Sequence, residues 1–122
     1  MDEAKSTWGP RLWAEIHSTS VKSTPRKFKE YLSTLGPRIP CEECQYHFKS
    51  YMFQNPMGSR DDPIIWAIDF HNDVNRRLGK PVLTYQQAYK EINVYKIDNT
   101  YNIIACILFI ALLMCMNSKK IL

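Results

Sequence analysis

Proline and glycine cut this chain into helix-length pieces, and no stretch sustains the period-two alternation of a half-buried strand. Gly9-Pro10 opens a segment that puts Trp13, Ile16, His17 and Ser20 on roughly one face. Thr24-Pro25 reads as an N-cap followed by proline at the first helical position, and Phe28, Leu32 and Leu35 recur until Gly36 stops the pattern. Pro37 and Pro40 bracket a short linker. The run that begins at Cys41 places positions 41, 44, 48 and 52 on one face and ends at Asn55-Pro56-Met57-Gly58. Asp62-Pro63 opens the strongest helical pattern, which runs to Leu78 with Gly79 as its stop. Thr84, with Gln87 three residues on, starts another through a capping box. These signals predict an all-α domain of four or five short helices packed as a bundle.

A chain of 122 residues supports one modest core. Its net charge of +4 is spread out, with no basic run of five or more, so a nucleic-acid footprint is not expected. Met1 to Thr7 is polar and lacks the apolar region of a secretory signal, which predicts a start in the cytosol, where thiols are kept reduced. Four cysteines are too few for a disulfide scaffold of this length, so their role is sought locally.

The C-terminal part differs from the rest. Asn99 to Ser118 is a run of twenty uncharged residues that contains the apolar stretch Ile103 to Met116. Twenty helical residues rise about 30 Å, the thickness of a hydrocarbon core. The competing account is a buried terminal helix, but apolarity on every side suits lipid better than one flank of a small bundle. The expected organisation is a folded domain over residues 1–98 and an apolar tail over 99–122 that anchors it to a membrane. Lys90 and Lys96 before the segment balance Lys119 and Lys120 after it, so charge does not set the orientation. The position of the segment near the end favours a cytosolic domain.

Chemistry centres on Cys41-Glu42-Glu43-Cys44. A spacing of three on a helix meets the Cα separation that a disulfide needs, and a helix N-terminus favours the thiolate, which is the nucleophile in exchange. Cys41 lies nearer the helix start and suits attack from outside, whereas Cys44, one turn inward, faces the core. Glu42 and Glu43 suit the helix dipole yet oppose a thiolate, so the balance at the sulfurs stays open. Three other readings compete. Cys41, Cys44 and His47 form half of a zinc site that His17 or His71 would have to complete, giving a small zinc-binding interaction module. The two cysteines are otherwise inert core residues, or the chain is a tethered helical adaptor without chemistry. A thioredoxin-like motif is excluded by the absence of a βαβ pattern.

A second constellation lies on the segment Trp66 to Pro81, where His71, Asn75 and Leu78 share a face and Asn72 and Asn75 are i, i+3 neighbours. Amides and an imidazole on one stripe are costly to bury unless they meet a polar ligand. With Trp13 and His17, themselves i, i+4, they suit a slot for a large flat heterocycle. Periodicity alone equally allows an amphipathic helix with a polar rim.

Three motifs in register then resemble one family. Trp8-Gly9-Pro10-Arg11-Leu12-Trp13-Ala14-Glu15-Ile16-His17 resembles the G-x-x-x-W-x-x-L-H opening of the Erv/ALR flavin-linked sulfhydryl oxidases. Cys41-Glu42-Glu43-Cys44 is similar to their proximal CxxC, and His71-Asn72-x-Val74-Asn75-x-x-Leu78-Gly79-Lys80-Pro81 to their H-N-x-V-N-x-x-L-G-K-P. The match spans about residues 8–96, and its minimal form resembles those encoded by large cytoplasmic DNA viruses. The resemblance implies a four-helix bundle with a short fifth helix, FAD at its mouth and a homodimer. It implies that Cys44 abuts the flavin in a charge-transfer complex while Cys41 exchanges with incoming protein dithiols, with dioxygen as acceptor and hydrogen peroxide as product. Gly9, Trp13, His17, His71, Asn72, Val74, Asn75, Leu78 and Lys80 match FAD-contacting positions, Tyr89 stands near an aromatic that often follows, and no metal is implied. The implied setting is host cytoplasm or virion, membrane-anchored. This chain departs from the family in lacking a shuttle cysteine pair. Cys106 and Cys115 are nine residues, about 13.5 Å of helix, apart. It also lacks a counterpart to the disulfide that staples the last helix in some relatives, and Pro10 stands where relatives often carry Arg at a phosphate contact. Thiols are therefore expected to arrive on a separate, thioredoxin-like carrier.

Overall fold

Local side chains set where the helices begin. Thr24 Oγ1 accepts the Lys27 N–H at 3.3 Å with Pro25 at the first helical position, and Asp62 Oδ1 accepts the Ile64 N–H at 2.8 Å ahead of Pro63. Each cap satisfies a donor that the helix itself leaves without a partner. The computed structural model describes the backbone of residues 2–121 and the side chains of residues 7–92 and 101–118. Its elements are α1 (Asp2–Lys22), α2 (Pro25–Leu35), a 3-10 turn (Gly36–Arg38), α3 (Glu42–Gln54), α4 (Pro63–Arg77) and α5 (Tyr85–Ile121). The described residues include no strand, in agreement with the all-α expectation.

The stop at Gly79 is a full C-terminal reversal. Gly79 has φ of 69°, its N–H donates to the Arg76 carbonyl at 3.3 Å, and the Lys80 N–H donates to the Asn75 carbonyl at 2.8 Å. That left-handed residue is where glycine alone carries no Cβ penalty. Gly36 behaves differently: at φ −48° and ψ −53° it remains right-handed, and the chain tightens into the 3-10 turn instead of reversing.

Two boundaries depart from the sequence reading. α1 does not open at Gly9-Pro10 but runs through it. An interior proline removes one backbone hydrogen bond. The offset is packing, since Trp8 before it and Leu12 and Trp13 after it all lie against one hydrophobic core. The short fifth helix and the apolar tail are one continuous helix of 37 residues, because nothing between Tyr85 and Ile121 is proline or glycine.

The chain divides into two compact units, residues 1–85 and 86–122. The first holds the core: Ile16 from α1, Phe28, Leu32 and Leu35 from α2, Phe48 and Tyr51 from α3, and Trp66, Ala67 and Phe70 from α4. Its aromatic rings interlock, with Phe48, Tyr51 and Trp66 all between 5.0 and 5.5 Å from Phe70. Four helices contribute, so each one's apolar stripe depends on the other three. In the second unit every described side chain from 101 to 118 is exposed, and Tyr101–Ser118 is long and apolar enough to cross a membrane. Cys106 and Cys115 are exposed on that helix.

Phe28 is wholly buried and touches both Tyr31 and Trp66. Phe28→Ala should cost about 3–5 kcal/mol of unfolding free energy. Arg26→Ala, which breaks only an exposed pair with Glu30 at 3.6 Å, should leave the urea midpoint almost unmoved.

Candidate active site

Gly9, Trp13 and His17 follow one another at i, i+4 and i+8 along α1, so they share a stripe. That stripe meets α4 at His71. The His71 ring stacks on Trp13 with centroids 3.9 Å apart and planes 6° from parallel, and Phe70 closes on Trp13 from one residue earlier at 5.2 Å. His17 Nε2 and His71 Nδ1 share a hydrogen bond of 2.9 Å, one ring donating and the other accepting.

Both imidazoles are held neutral. Burial pushes His17 below its usual range. His71 is pushed down to about 4, by burial first and then by His17 and Lys80. Desolvation disfavours a cation here, and two cations at this spacing would repel. The other nitrogen of His17, Nδ1, is buried without a hydrogen-bond partner. A buried polar atom left unmet costs on the order of 1–3 kcal/mol, so this arrangement suits a ligand that brings a polar group to it. Along the same stripe, a Cβ added at Gly9 would meet nothing within 4 Å. Open space beside a helical glycine allows close approach of a flat ring. The residues present therefore fit a polar aromatic group.

Other candidates on α4 divide by role. Val74 packs against the core. Asn75 is half-buried and its carbonyl takes the Lys80 N–H, while the Leu78 and Lys80 side chains are exposed just past the helix. Asn72 makes a contact that helical spacing does not foresee. It is buried, and its amide clasps the backbone of Leu83, donating Nδ2–H to the carbonyl at 2.8 Å and accepting the N–H at 3.1 Å. A side chain so engaged pins the segment after α4 and does not point both its polar groups at a ligand. Tyr85 adds to that pinning by donating to Asp69 Oδ1 at 2.6 Å. Tyr89 is half-buried on α5, in the second unit.

The cysteine pair sits at the start of α3. Cys41 is the N-cap residue itself, in extended conformation, and its Sγ accepts the Cys44 N–H at 3.2 Å. It is therefore one step off the helix face on which spacing put it. Cys44 packs against the hydrophobic core, one turn ahead of the buried Phe48. Phe48 meets Phe70 at 5.5 Å and Phe70 meets Trp13, so one aromatic run connects the α3 face to the α1 stripe. His47 lies 3.6 Å from Glu43 Oε1. Among the described residues no three His, Cys, Asp or Glu side chains gather as a metal site, so the zinc reading gains no support.

The Erv1 / Alr family profile matches residues 10–95. The chain belongs to the Erv1 / Alr family. It is similar to a protein of African swine fever virus named FAD-linked sulfhydryl oxidase, 31% identical over 76% of this chain and 85% of the viral one. It is also similar to the FAD-linked sulfhydryl oxidase ERV1 of Arabidopsis thaliana, 34% identical over 71% of this chain and 48% of the plant protein. A rice protein of the same name is 30% identical over 69% of this chain. In Erv1 / Alr terms, the family match covers α3 with its cysteines, all of α4 and the stripe of α1 from Pro10 onward.

Sequence reasoning missed a polar cluster on the flank of this site. Arg38 donates through Nη1 and Nη2 to the two Glu15 oxygens at 3.1 and 3.0 Å, and Tyr31 donates to Glu15 Oε2 at 2.7 Å. Arg38, and then Tyr31, hold the Glu15 carboxyl below the usual carboxylate range. Glu15 and Arg38 are separated by 23 residues and carry no motif, so only the fold brings them together.

The imidazole pair sets a pH dependence. The folded His71 value of about 4 lies below the value of about 6.5 expected unfolded. Between those limits the unfolded chain binds more protons, so stability is retained above pH 6.5 and lost as pH falls toward 4. The melting temperature should drop across that window, and His71→Phe, which keeps a ring against Trp13, should flatten the slope. A melting temperature independent of pH from 7 to 4.5 in the parent chain would contradict the assignment.

Proposed function

We propose that this chain is an FAD-linked sulfhydryl oxidase that makes disulfides in protein thiols through Cys41 and Cys44. The observation that carries the reading is the position of that pair, capping α3 with its inner cysteine on the core, in a chain whose relatives are named FAD-linked sulfhydryl oxidases.

In the proposed cycle a substrate thiolate attacks Cys41 Sγ of the Cys41–Cys44 disulfide. A new sulfur–sulfur bond forms to Cys41, the Cys41–Cys44 bond breaks, and Cys44 leaves as a thiolate. A second substrate thiolate attacks the substrate sulfur of that mixed disulfide and releases Cys41. Two substrate thiols have then become one disulfide, and the pair has gained two electrons. The Cys44 N–H aimed at Cys41 Sγ stabilises negative charge on Cys41 as it departs. Trp13 and His71 offer a flat wall, and His17 Nδ1 offers a polar contact, for FAD. Gly9 leaves room beside them, Val74, Asn75, Leu78 and Lys80 line the end of α4, and Tyr89 stays a candidate from α5. Asn72 stays a candidate for the same site while its amide fixes the segment after α4. FAD, when bound, supplies the two-electron chemistry that returns the pair to a disulfide and reduces dioxygen to hydrogen peroxide. Substrate thiols reach Cys41 on a separate thioredoxin-like protein, and the oxidase works as a homodimer.

Cys41→Ser and Cys44→Ser should each lower dithiothreitol oxidation by on the order of 100-fold or more, because the pair acts as one unit. Full activity in either variant would defeat the mechanism. His17→Ala should lose flavin on gel filtration and melt at a lower temperature, since a bound cofactor stabilises by mass action.

We further propose that Tyr101–Ser118 anchors the oxidase in a membrane, with residues 1–98 as the working domain. Chain truncated at Asp98 should be soluble and yellow, whereas the whole chain should remain with membranes after carbonate extraction. Recovery of the whole chain in the carbonate supernatant would remove the anchor.

A further inference from the structure

Cys41 stands at the end of a short link, residues 36–40, that joins α2 to α3. The link is held at several points. Ile39 is buried, and its N–H donates to the Gly36 carbonyl at 3.2 Å. Gln45 on α3 reaches back and donates Nε2–H to the Ile39 carbonyl at 2.7 Å. Arg38 makes the forked pair with Glu15 on α1, and the guanidinium carbon lies 5.8 Å from the centroid of the Tyr31 ring on α2. Three elements thus meet at the Glu15 carboxylate, whose partner Arg38 lies three residues before the cap.

We propose that the Glu15–Arg38 pair, braced by Tyr31, is a positioning device for Cys41: it holds the link so that Cys41 Sγ stays aligned with the Cys44 N–H. The proposal rests on Cys41 being the thiol that exchanges with substrate. A role in bulk stability does not account for the cluster, because the two side chains are 42% and 48% exposed and surface ion pairs contribute little. Geometry is what a planar fork with a third donor provides, since two parallel N–H···O bonds define direction as well as distance. When the link loosens, the cap bond lengthens and the Cys41 thiolate loses a hydrogen bond to its charged form.

The groups with charge or a titratable proton on the elements that meet here include Arg38 on the link, Glu42, Glu43, Tyr46, His47 and Lys49 on α3, Arg11, Glu15 and His17 on α1, and Arg26, Lys27, Lys29, Glu30 and Tyr31 on α2. They make the sign of the effect diagnostic. Removing the negative charge of Glu15 through the field alone favours a thiolate and lowers the pH at which Cys41 ionises. Loss of positioning raises it.

The test is the pH profile of Cys41 alkylation by iodoacetamide in the reduced, full-length protein in detergent, resolved from Cys44 by peptide mass spectrometry. Glu15→Ala and Arg38→Ala should each move the midpoint up by about one pH unit. Arg38→Lys, which keeps the charge but not the fork, should move it partway in the same direction, and flavin retention should not change. An unmoved or lowered midpoint in Glu15→Ala overturns the proposal. Should Glu15→Ala lose helical circular dichroism, Glu15→Gln carries the same expectation with a smaller rise, and an unmoved or lowered midpoint there overturns it as well. The underlying reading fails separately: Cys41→Ser with undiminished oxidase activity removes Cys41 as the exchanging thiol, whatever the alkylation profiles show.

Discussion

The flat stack of His71 on Trp13, closed by the hydrogen bond between His71 and His17, is the contact on which the site depends. It joins α1 to α4 with ring faces and not with aliphatic side chains, so the two helices are fixed in rotation as well as in distance. It also removes two imidazoles from water while giving them one hydrogen bond between them. Burial then keeps both neutral and leaves His17 Nδ1 without a partner. A core made for stability alone would not retain such an atom, since an apolar ring of similar shape carries no desolvation cost. That cost is what makes this end of the bundle the candidate place for a ligand.

The cysteine pair depends on the same packing from the other side. Phe70 follows Trp66 by one turn of α4 and touches both Trp13 and Phe48. Phe48 follows Cys44 by one turn of α3. The inner cysteine and the imidazole stripe are therefore placed by one set of aromatic contacts, while the outer cysteine is placed by the link before it. The two sulfurs of one motif are thus placed by different means. Cys44 is set by the core. Cys41 is set by a cap, an amide and an ion pair at the surface.

Much of the fold was legible in the sequence because helix boundaries are local. Thr24 and Asp62 cap the helices they were expected to cap, and Gly79 reverses the chain where only glycine does so without strain. Pro10 misled because a proline signals a lost bond, whereas the packing of Trp8 that offsets it lies elsewhere in the fold. Gly36 ends α2 where the sequence places the stop, yet it remains right-handed, because Pro37 follows it into a tightened turn. Asn72 was grouped with Asn75 by spacing, yet its amide faces Leu83, eleven residues on, a contact that helical periodicity does not encode.

What the sequence determined by itself is therefore the set of short-range facts: the helical class, most of the caps, the apolar run from Ile103 to Met116, and the CxxC at a helix start. These rest on backbone geometry and side-chain chemistry within about one turn, which a linear pattern carries in full. Tertiary structure decided the rest. It brought Trp13 and His17 onto His71 across more than fifty residues, and it seated Glu15 on Arg38. It also bound the Asn72 amide to the backbone of Leu83. The physical reason is that such contacts depend on how four apolar stripes share one core. The rotation of each helix is settled only when the other three are in place.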